Sequence, residues 1–165
     1  MTNFILYVKI NCRKINQARR TWYVKTGKIK LDRVLYSASF YPAEYGFIEE
    51  TLSHDGDPLD VLVFTSAATF PGCYIDARII GGMDMIDAGL EDTKIIAVNN
   101  GDPRYDNIQK LEDLAPHYLK EIENFFSTYK ALQNQKTEVL GFFDEEKAAE
   151  QIDLAFERYK NENKN

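Results

Sequence analysis

The chain has 165 residues, a length that predicts one domain spanning residues 1–165. Hydrophobic residues make up 44% and aromatic residues 13%, which is enough for a core that folds without disulfides or a structural metal. The formal net charge of −6 repels nucleic acids and anionic membrane surfaces at long range. We therefore expect no nucleic acid or membrane partner, and any small anion that binds needs local cations or metal ions.

The cysteines and the N-terminus point to an intracellular protein. Cys12 and Cys73 lack a CxxC spacing and are too few for a disulfide framework, so we expect reduced thiols. The apolar run at residues 4–8 is too short for a signal peptide or a membrane-spanning helix. These features predict a cytoplasmic protein.

Before residue 110 the chain consists of short β-branched and aromatic runs separated by turn residues. Thr26-Gly27 is typical of a turn between two of these runs. The runs predict a small β-barrel or a tightly coiled sheet. The expected strands are 4–10, 22–25, 28–35, 45–49, 60–64, 74–83 and 94–99.

After residue 110 the apolar residues recur at helical spacing. One helix, with Asp113 as its cap and Pro116 in its first turn, carries Leu119, Ile122, Phe125, Phe126, Tyr129 and Leu132 on one face. Residues 137–142 resemble a strand. Asp144 is expected to cap a second helix, and the polar tail after Lys160 is expected to fray. The whole pattern predicts an α+β fold in which the helices close over the barrel.

A cluster of carboxylates precedes the predicted strand 60–64. Asp55, Asp57 and Asp60 lie within six residues, and Gly56 and Pro58 make the intervening turn tight and stiff. Like charges held this close need a cation, and hard cations such as Mg²⁺ prefer carboxylate oxygens. A solvated acidic turn is the alternative for an Asp-Gly-Asp triplet alone, and the third aspartate favours a metal site.

A second acidic group surrounds the turn near Gly89 and consists of Asp84, Asp87, Glu91 and Asp92. If strands 60–64 and 94–99 share one barrel, Asp87 and Asp92 can face the first acidic group across the barrel end. Several divalent ions bound there would bind phosphoryl oxygens, lower the pKa of a shared water and neutralise developing charge. The pattern therefore favours phosphoryl hydrolysis.

A phosphate-binding wall needs cations and hydroxyls, and the candidates are Arg19, Arg20, Arg33, Tyr41, Tyr45, Lys94, Tyr129 and Lys130. Most of them have an ordinary alternative: the tyrosines as packing residues, Arg19-Arg20 as a solvated loop pair, and Lys94 as a solvated strand residue. Lys130 could simply complement a helix dipole. Arg33 is less ordinary, because an arginine within an apolar strand needs a partner or an anion. His54 and His117 lack ligand spacing and are expected to be structural or exposed.

The run at residues 55–61, Asp-Gly-Asp-Pro-Leu-Asp-Val, resembles the signature of the soluble family I inorganic pyrophosphatases. The resemblance extends from Leu6 to Tyr159, and its length is similar to the short bacterial type. It implies an OB-like five-stranded β-barrel with two covering α-helices, and a homo-oligomer that is commonly a hexamer. It also implies Mg²⁺-dependent hydrolysis of pyrophosphate to two phosphates. Further matches occur in the right order at Asp32-Arg33, Phe40-Tyr41-Pro42, Tyr45-Gly46, Asp87, Glu91-Asp92, Lys94, Phe125-Phe126 and Tyr129-Lys130.

The resemblance also implies a role for each site residue. Asp55, Asp60 and Asp92 would hold the first metal ion, Asp60 would bridge to a second, and Asp87 with Asp92 would help to hold the metal that accompanies the substrate. Asp57 would be the general base, which takes a proton from a metal-bridging water. Tyr45 and Lys94 would complete the catalytic wall. The implied substrate-binding residues are Arg19, Arg33, Tyr45, Tyr129 and Lys130.

Three N-terminal positions depart from the family pattern. Asn11 and Thr21 stand where the family has glutamates, and Arg19 stands where it has a phosphate-binding lysine. The departures remove two carboxylates from the predicted metal basin, and an arginine fork places its charge differently from a lysine. The alternative function is therefore a catalytically weakened, OB-fold binding or scaffold protein.

Overall fold

A computed structural model describes residues 5–12, 18–23 and 28–163, with side chains for 5–10, 31 and 33–163. Within this part of the chain there are eight strands and two α-helices. The strands are β1 (Ile5–Cys12), β2 (Ala18–Tyr23), β3 (Lys28–Val34), β4 (Glu44–Ile48), β5 (Asp60–Phe64), β6 (Tyr74–Asp87), β7 (Leu90–Asn99) and β8 (Thr137–Phe143). The helices are α1 (Pro116–Thr128) and α2 (Glu145–Glu162), and neither is long and apolar enough to cross a membrane.

Five strands form a closed barrel in the order β1-β4-β5-β7-β6, because β1 pairs with both β4 and β6. The β8 strand pairs with β6 and extends the sheet, and β2 and β3 form a separate hairpin. The pairing of β5 with β7 is parallel and sets Asp60 opposite Lys94. The predicted five-stranded barrel with two helices is therefore confirmed.

The alternation of side chains along the barrel strands divides the core between the two helices. Leu62 and Phe64 of β5 pack in one cluster with Phe126 of α1, whereas Val61 and Val63 pack in another cluster with the α2 helix. Successive residues of a strand point to opposite faces, so β5, β6 and β7 each contribute to both clusters. Each helix therefore packs in one of the two clusters that these strands share.

Two predicted strand boundaries are wrong in ways that matter for the site. The strand expected at 22–25 is β2, which begins earlier, at Ala18. The backbones of Arg19 and Arg20 therefore pair with β3, and the two residues are not a loop pair. The Thr26-Gly27 turn lies outside the described residues. The β7 strand begins four residues earlier than predicted, because Ala88 (φ 51°) and Gly89 (φ 89°) turn the chain in two residues. Asp92 is consequently a strand residue with a fixed direction.

The helix boundaries also differ from the prediction. Ala115 occupies the N-cap of α1, while the Asp113 carboxylate accepts from the backbone N–H of Gln109 at 2.8 Å and of Lys110 at 3.1 Å. Leu132 lies beyond the end of α1 and is exposed. The Asp144 cap of α2 is confirmed, since its carboxylate accepts from the Lys147 N–H at 2.9 Å. The α2 helix continues two residues past Lys160.

Candidate active site

A cavity of about 430 Å³ opens where β5 and β7 begin. The side chain of Arg19 lies outside the described residues, although its backbone pairs with Arg33 across the β2–β3 hairpin. All other residues to which the resemblance assigns a role line this cavity, namely Arg33, Tyr45, Asp55, Asp57, Asp60, Asp87, Asp92, Lys94, Tyr129 and Lys130.

The loop that carries Asp55 and Asp57 is closed at its base by Thr51. The buried Thr51 hydroxyl donates to the Ile48 carbonyl at 2.6 Å and accepts from the Leu59 N–H at 2.9 Å. Within the loop, the Asp57 N–H donates to Asp55 Oδ1 at 3.0 Å. Both aspartates are therefore exposed at the cavity on a loop of defined shape.

Lys94 is buried between two aspartates of the barrel wall. Its ammonium donates to Asp60 Oδ2 at 2.6 Å and lies 2.7 Å from Asp92 Oδ2. The parallel register of β5 and β7 places Asp60 and Lys94 side by side, and Asp92 is two residues before Lys94 on the same face. The alternative of a solvated strand lysine is wrong, because Lys94 is 3% exposed.

One ammonium shared by two carboxylates leaves a net negative charge in a place with little water. Burial raises the pKa of Asp92 to about 6, and the charges of Asp60 and Asp55 add to the rise, which Lys94 only partly offsets. Burial alone would lower the pKa of Lys94, but Asp60 and Asp92 together hold it above its usual value. In this arrangement Lys94 stays charged, and Asp92 takes up a proton more easily than an ordinary aspartate.

The second wall of the cavity is centred on Asp87, at the end of β6. Its carboxylate accepts from the Tyr129 hydroxyl at 2.7 Å and from Lys130 Nζ at 2.6 and 2.7 Å. Burial, followed by the Asp87 charge, raises the pKa of Tyr129 well above its usual range. Phe125 and Phe126 pack around the Tyr129 ring and fix its position after α1. Lys130 therefore pairs with a carboxylate as well as lying near a helix end.

Two tyrosines complete the cavity from the β4 side. The Tyr45 hydroxyl donates to Asp60 Oδ2 at 2.5 Å, so Asp60 accepts from both a tyrosine and a lysine. Tyr41 packs against Tyr45, with ring centroids 4.7 Å apart, and also lines the cavity. Tyr41 was a candidate for the phosphate-binding wall with packing as its alternative, and it is both packed and part of the lining. Gln133 and Gln135 also line the cavity, and no sequence pattern pointed to them.

The second acidic group divides between two places. Asp87 lines the main cavity, Asp84 and Glu91 line a second cavity of about 200 Å³, and Asp92 lines both. Asp84 accepts from Lys147 Nζ at 2.7 Å and from the Thr93 hydroxyl at 2.9 Å. Alternate residues of β6 and β7 point to opposite faces, which explains the division. His54 and His117 are exposed, as expected.

The side chains of the departures lie outside the described part of the chain, and only their backbones are placed. Asn11 lies at an irregularity in the β1–β4 pairing, between Ile10 and Cys12. Thr21 pairs with Lys30 in the β2–β3 hairpin. Their predicted effect on the metal basin stays a prediction.

Comparison with known proteins identifies the family. The family described as "Inorganic pyrophosphatase" matches residues 8–160 of this chain. The chain belongs to the inorganic pyrophosphatase family. The resemblance predicted from the sequence is thus confirmed.

Curated relatives are similar over most of their length. The chain is 58% identical over 134 residues to the "Inorganic pyrophosphatase" of Halalkalibacterium halodurans, which covers 81% of this chain and 82% of the relative. It is 54% identical over 133 residues to the "Inorganic pyrophosphatase" of Geobacillus stearothermophilus, with 81% of each chain covered.

Solved structures of inorganic pyrophosphatases share the fold. The Thermus thermophilus enzyme superposes with a TM-score of 0.90 at 38% identity, covering 94% of this chain and 91% of its own. The Helicobacter pylori enzyme gives a TM-score of 0.90 at 36% identity, with 94% of both chains covered. The barrel and its two helices are therefore the fold of this family.

Proposed function

We propose that this chain hydrolyses inorganic pyrophosphate to two phosphates with Mg²⁺ as its cofactor. The observation that carries the proposal is a single cavity in which five aspartates face Arg33, Lys94 and Lys130. Membership of a metal-dependent family supports it. Acidic and basic side chains in one cavity suit a substrate that arrives as a phosphate anion together with a cation.

The residues present fit Mg²⁺ by the chemistry of their donor atoms. The acidic side chains of the cavity are all aspartates, which offer the hard oxygen ligands that Mg²⁺ prefers. Among the described residues no three ligating side chains already enclose a common point, and Asp60, Asp92 and Asp87 are paired with Lys94 and Lys130. Burial raises the pKa of Asp92 and the charges of Asp60 and Asp55 add to the rise, so a cation bound at this wall would stabilise the ionised carboxylate.

Residues of the two walls and the loop would divide the binding of metal. Asp55, Asp60 and Asp92 would hold the first ion, with Asp60 also bridging to a second, and Asp87 would hold an ion that arrives with the substrate. When bound, Mg²⁺ supplies a lowered pKa for a water molecule and neutralises charge on the phosphates.

Asp57 would serve as the general base. It lies on the stiff loop beside Asp55 and lines the same cavity as Asp60, so its carboxylate can accept a proton from a water held at the aspartates. Its exposed position suits a group that must pass the proton on to solvent. The hydrogen bond from the Asp57 N–H to Asp55 fixes the loop and does not involve the Asp57 carboxylate, which lines the cavity.

The cationic wall would bind the phosphates. Lys94 keeps its charge between Asp60 and Asp92, and the Tyr45 hydroxyl lies beside it on Asp60. Arg33 is exposed on β3 at the cavity. The Lys130 ammonium has three N–H donors, so it can bind Asp87 and still donate to a phosphate. Together with Tyr129, these donors would stabilise the charge on the leaving phosphate. Arg19 would join them from the strand next to Arg33.

Phosphate release from pyrophosphate, measured with and without Mg²⁺, tests the proposal. The purified chain should release phosphate only when Mg²⁺ is present. Thermal melting in both conditions serves as the control that the protein is folded. No metal-dependent release from folded protein would reject hydrolysis, and pyrophosphate-induced thermal stabilisation without release would point to the binding protein considered above.

The oligomeric state and the location also remain proposals. We expect copies of the chain to associate, as the resemblance to the short bacterial type implies. The described part of one chain exposes large apolar side chains that could be buried in such an interface, for example Tyr7, Phe70 and Leu140. Light scattering during gel filtration measures the mass, and a monomer at micromolar concentration would reject association. A cytoplasmic location stays a prediction.

A further inference from the structure

The loop that carries Asp55 and Asp57, called the metal loop below, leaves the barrel at Leu52, and one turn of α2 binds this residue. The Leu52 N–H donates to the Ala155 carbonyl at 3.0 Å, and Arg158 Nε donates to the Leu52 carbonyl at 2.8 Å. Ala155 and Arg158 are three residues apart and therefore lie on the same helix face. Both polar groups of Leu52 are thus bound by a helix that lines none of the main cavity.

The two sides of this loop are fixed by different means. On the barrel side, buried Thr51 links Ile48 to Leu59. On the outer side, Leu52 is held by α2, although 106 residues separate it from Arg158. The Ala155 carbonyl has two lone pairs, so it can accept from Leu52 while it remains part of the helix.

The Leu52 peptide directly precedes the turn that sets the direction of Asp55 and Asp57. The Ser53 N–H donates to the Asp57 carbonyl at 2.8 Å, and the Gly56 N–H donates to the Ser53 carbonyl at 3.2 Å. A rotation of the peptide at Leu52 would move Ser53, and with it the acceptor and donor on which the turn depends. The exposed residues of the turn have no buried side chain of their own to resist that rotation.

We infer that Arg158 is a positioning residue for the metal loop: its Nε–H fixes the Leu52 peptide and so holds Asp55 in place for the cation. This inference rests on the proposed function. Removing a partner that orients a metal ligand directly costs about 10–100-fold in metal affinity. Because Arg158 acts one contact further away, we expect about a three- to tenfold rise in the Mg²⁺ concentration at half-maximal rate.

Three variants separate the donor from the charge. Arg158→Met removes the N–H and the charge, and places a methyl group at the same number of bonds from Cα as Nε. Arg158→Gln also removes the charge but places an amide N–H₂ at that same point. Lys160→Met removes a positive charge from an exposed residue of the same helix and is the matched control.

Two measurements are made on the full chain at 25 °C, with thermal melting to verify folding. The first is the Mg²⁺ midpoint and the maximal rate of pyrophosphate hydrolysis. The second is amide hydrogen exchange over residues 52–57 without metal, which needs no activity. Arg158→Met should raise the midpoint three- to tenfold, leave the maximal rate within about twofold and speed exchange in the loop. Arg158→Gln and Lys160→Met should match the parent in both measurements.

Each other result overturns the inference. An unchanged midpoint in Arg158→Met shows that the contact does not serve the metal, even if exchange becomes faster. If Lys160→Met changes the midpoint and the exchange as much as Arg158→Met does, the cause is the charge of the helix. If Arg158→Gln is as impaired as Arg158→Met, the N–H donor at this position is not the cause. If Arg158→Met does not fold, the Gln variant still decides, because it must match the parent. A parent chain with no Mg²⁺-dependent release instead rejects the proposed function, while the exchange measurement still tests the loop.

Discussion

Two aspartates at opposite ends of β7 have nearly the same exposure and opposite surroundings. Asp92, near the start of the strand, is 8% exposed, and Asp102, three residues after its end, is 5% exposed. Asp102 accepts from the Ser66 hydroxyl at 2.6 Å, the Ser66 N–H at 2.8 Å and the Arg104 N–H at 3.1 Å. Asp92 has Lys94 as a charged partner and must share it with Asp60.

The pKa values of the two carboxyls move in opposite directions. The hydrogen bonds from Ser66 and Arg104 lower the pKa of Asp102 to about 2, whereas burial raises that of Asp92 to about 6. The Asp102 carboxylate lies 3.3 Å from the exposed Arg104 guanidinium, whereas Asp92 is near the carboxylates of Asp60 and Asp55. Low exposure alone therefore does not decide the charge state.

The difference separates a structural end of β7 from a functional end. The Asp102 carboxylate accepts from several donors, so its charge is well satisfied and stabilises the fold. Around Asp92 the negative charges exceed the positive ones, an arrangement that costs stability and that a bound cation would relieve. Changes at the acidic end should therefore affect activity, and changes at the other end should affect stability.

The largest effect is expected from Asp57→Asn. The amide keeps the size of the side chain and removes the base, so turnover at saturating Mg²⁺ should fall by about 10²-fold or more. The melting temperature should stay near that of the parent, because Asp57 is exposed. Stopped or continuous phosphate assays measure the rate, and Asp153→Asn on an exposed face of α2 is the control. Turnover within a few-fold of the parent would reject Asp57 as the base.

A smaller effect, of a different kind, is expected from Asp60→Asn. The amide has one carbonyl oxygen and no charge, so metal affinity should weaken and the Mg²⁺ midpoint should rise by about tenfold or more. Tyr45 and Lys94 would also lose a charged acceptor. A Mg²⁺ titration at fixed pyrophosphate measures the midpoint. If the titration curve coincides with that of the parent, Asp60 is not a ligand.

Asp102→Asn tests the structural end through pH. Because the pKa of Asp102 is lowered when the protein folds, its ionised form stabilises the protein above about pH 4, and this contribution disappears as pH falls towards about 2. The variant should melt at a lower temperature than the parent at pH 7, and the difference should narrow between about pH 4 and pH 2. Calorimetry at a series of pH values measures it. A difference that is constant with pH would exclude the carboxylate charge as the cause.

Local patterns were sufficient to predict the acidic cavity. Asp55, Asp57 and Asp60 lie in one short motif whose turn is set by its own glycine and proline, so their proximity depends on few contacts. The position of Asp92 depended on whether two distant strands are neighbours. That condition was stated in the prediction, and the parallel β5–β7 pairing meets it.

Unusual backbone conformations and contacts between residues far apart in the sequence could not be predicted from the periodicity of the chain. Lys94 looks like a solvated residue in its own segment and is buried only because β5 brings Asp60 beside it. The early start of β7 depends on Ala88 in the left-handed region, a conformation that alanine seldom adopts. The hydrogen bond from Arg158 to the Leu52 carbonyl joins residues that are 106 positions apart in the sequence. Periodicity along the chain contains no information on such pairs.

The smallest expected effect comes from restoring the two family glutamates. Asn11→Glu and Thr21→Glu, singly and together, add negative charge to the region whose backbone lies in β1 and in the β2–β3 hairpin. Metal affinity rises with the number of charged oxygen ligands, so the double variant should lower the Mg²⁺ midpoint by about two- to fivefold. Asn11→Gln with Thr21→Gln is the matched control, because it has the same side-chain length without charge.

The direction of this change decides what the departures mean. A lower midpoint in the glutamate pair, with the glutamine pair like the parent, shows that the native chain needs more Mg²⁺ because it lacks these carboxylates. Equal shifts in both pairs would assign the effect to side-chain length. If the glutamate pair keeps both the midpoint and the rate of the parent, the departures are neutral, and the aspartates of the cavity are sufficient to set the metal requirement.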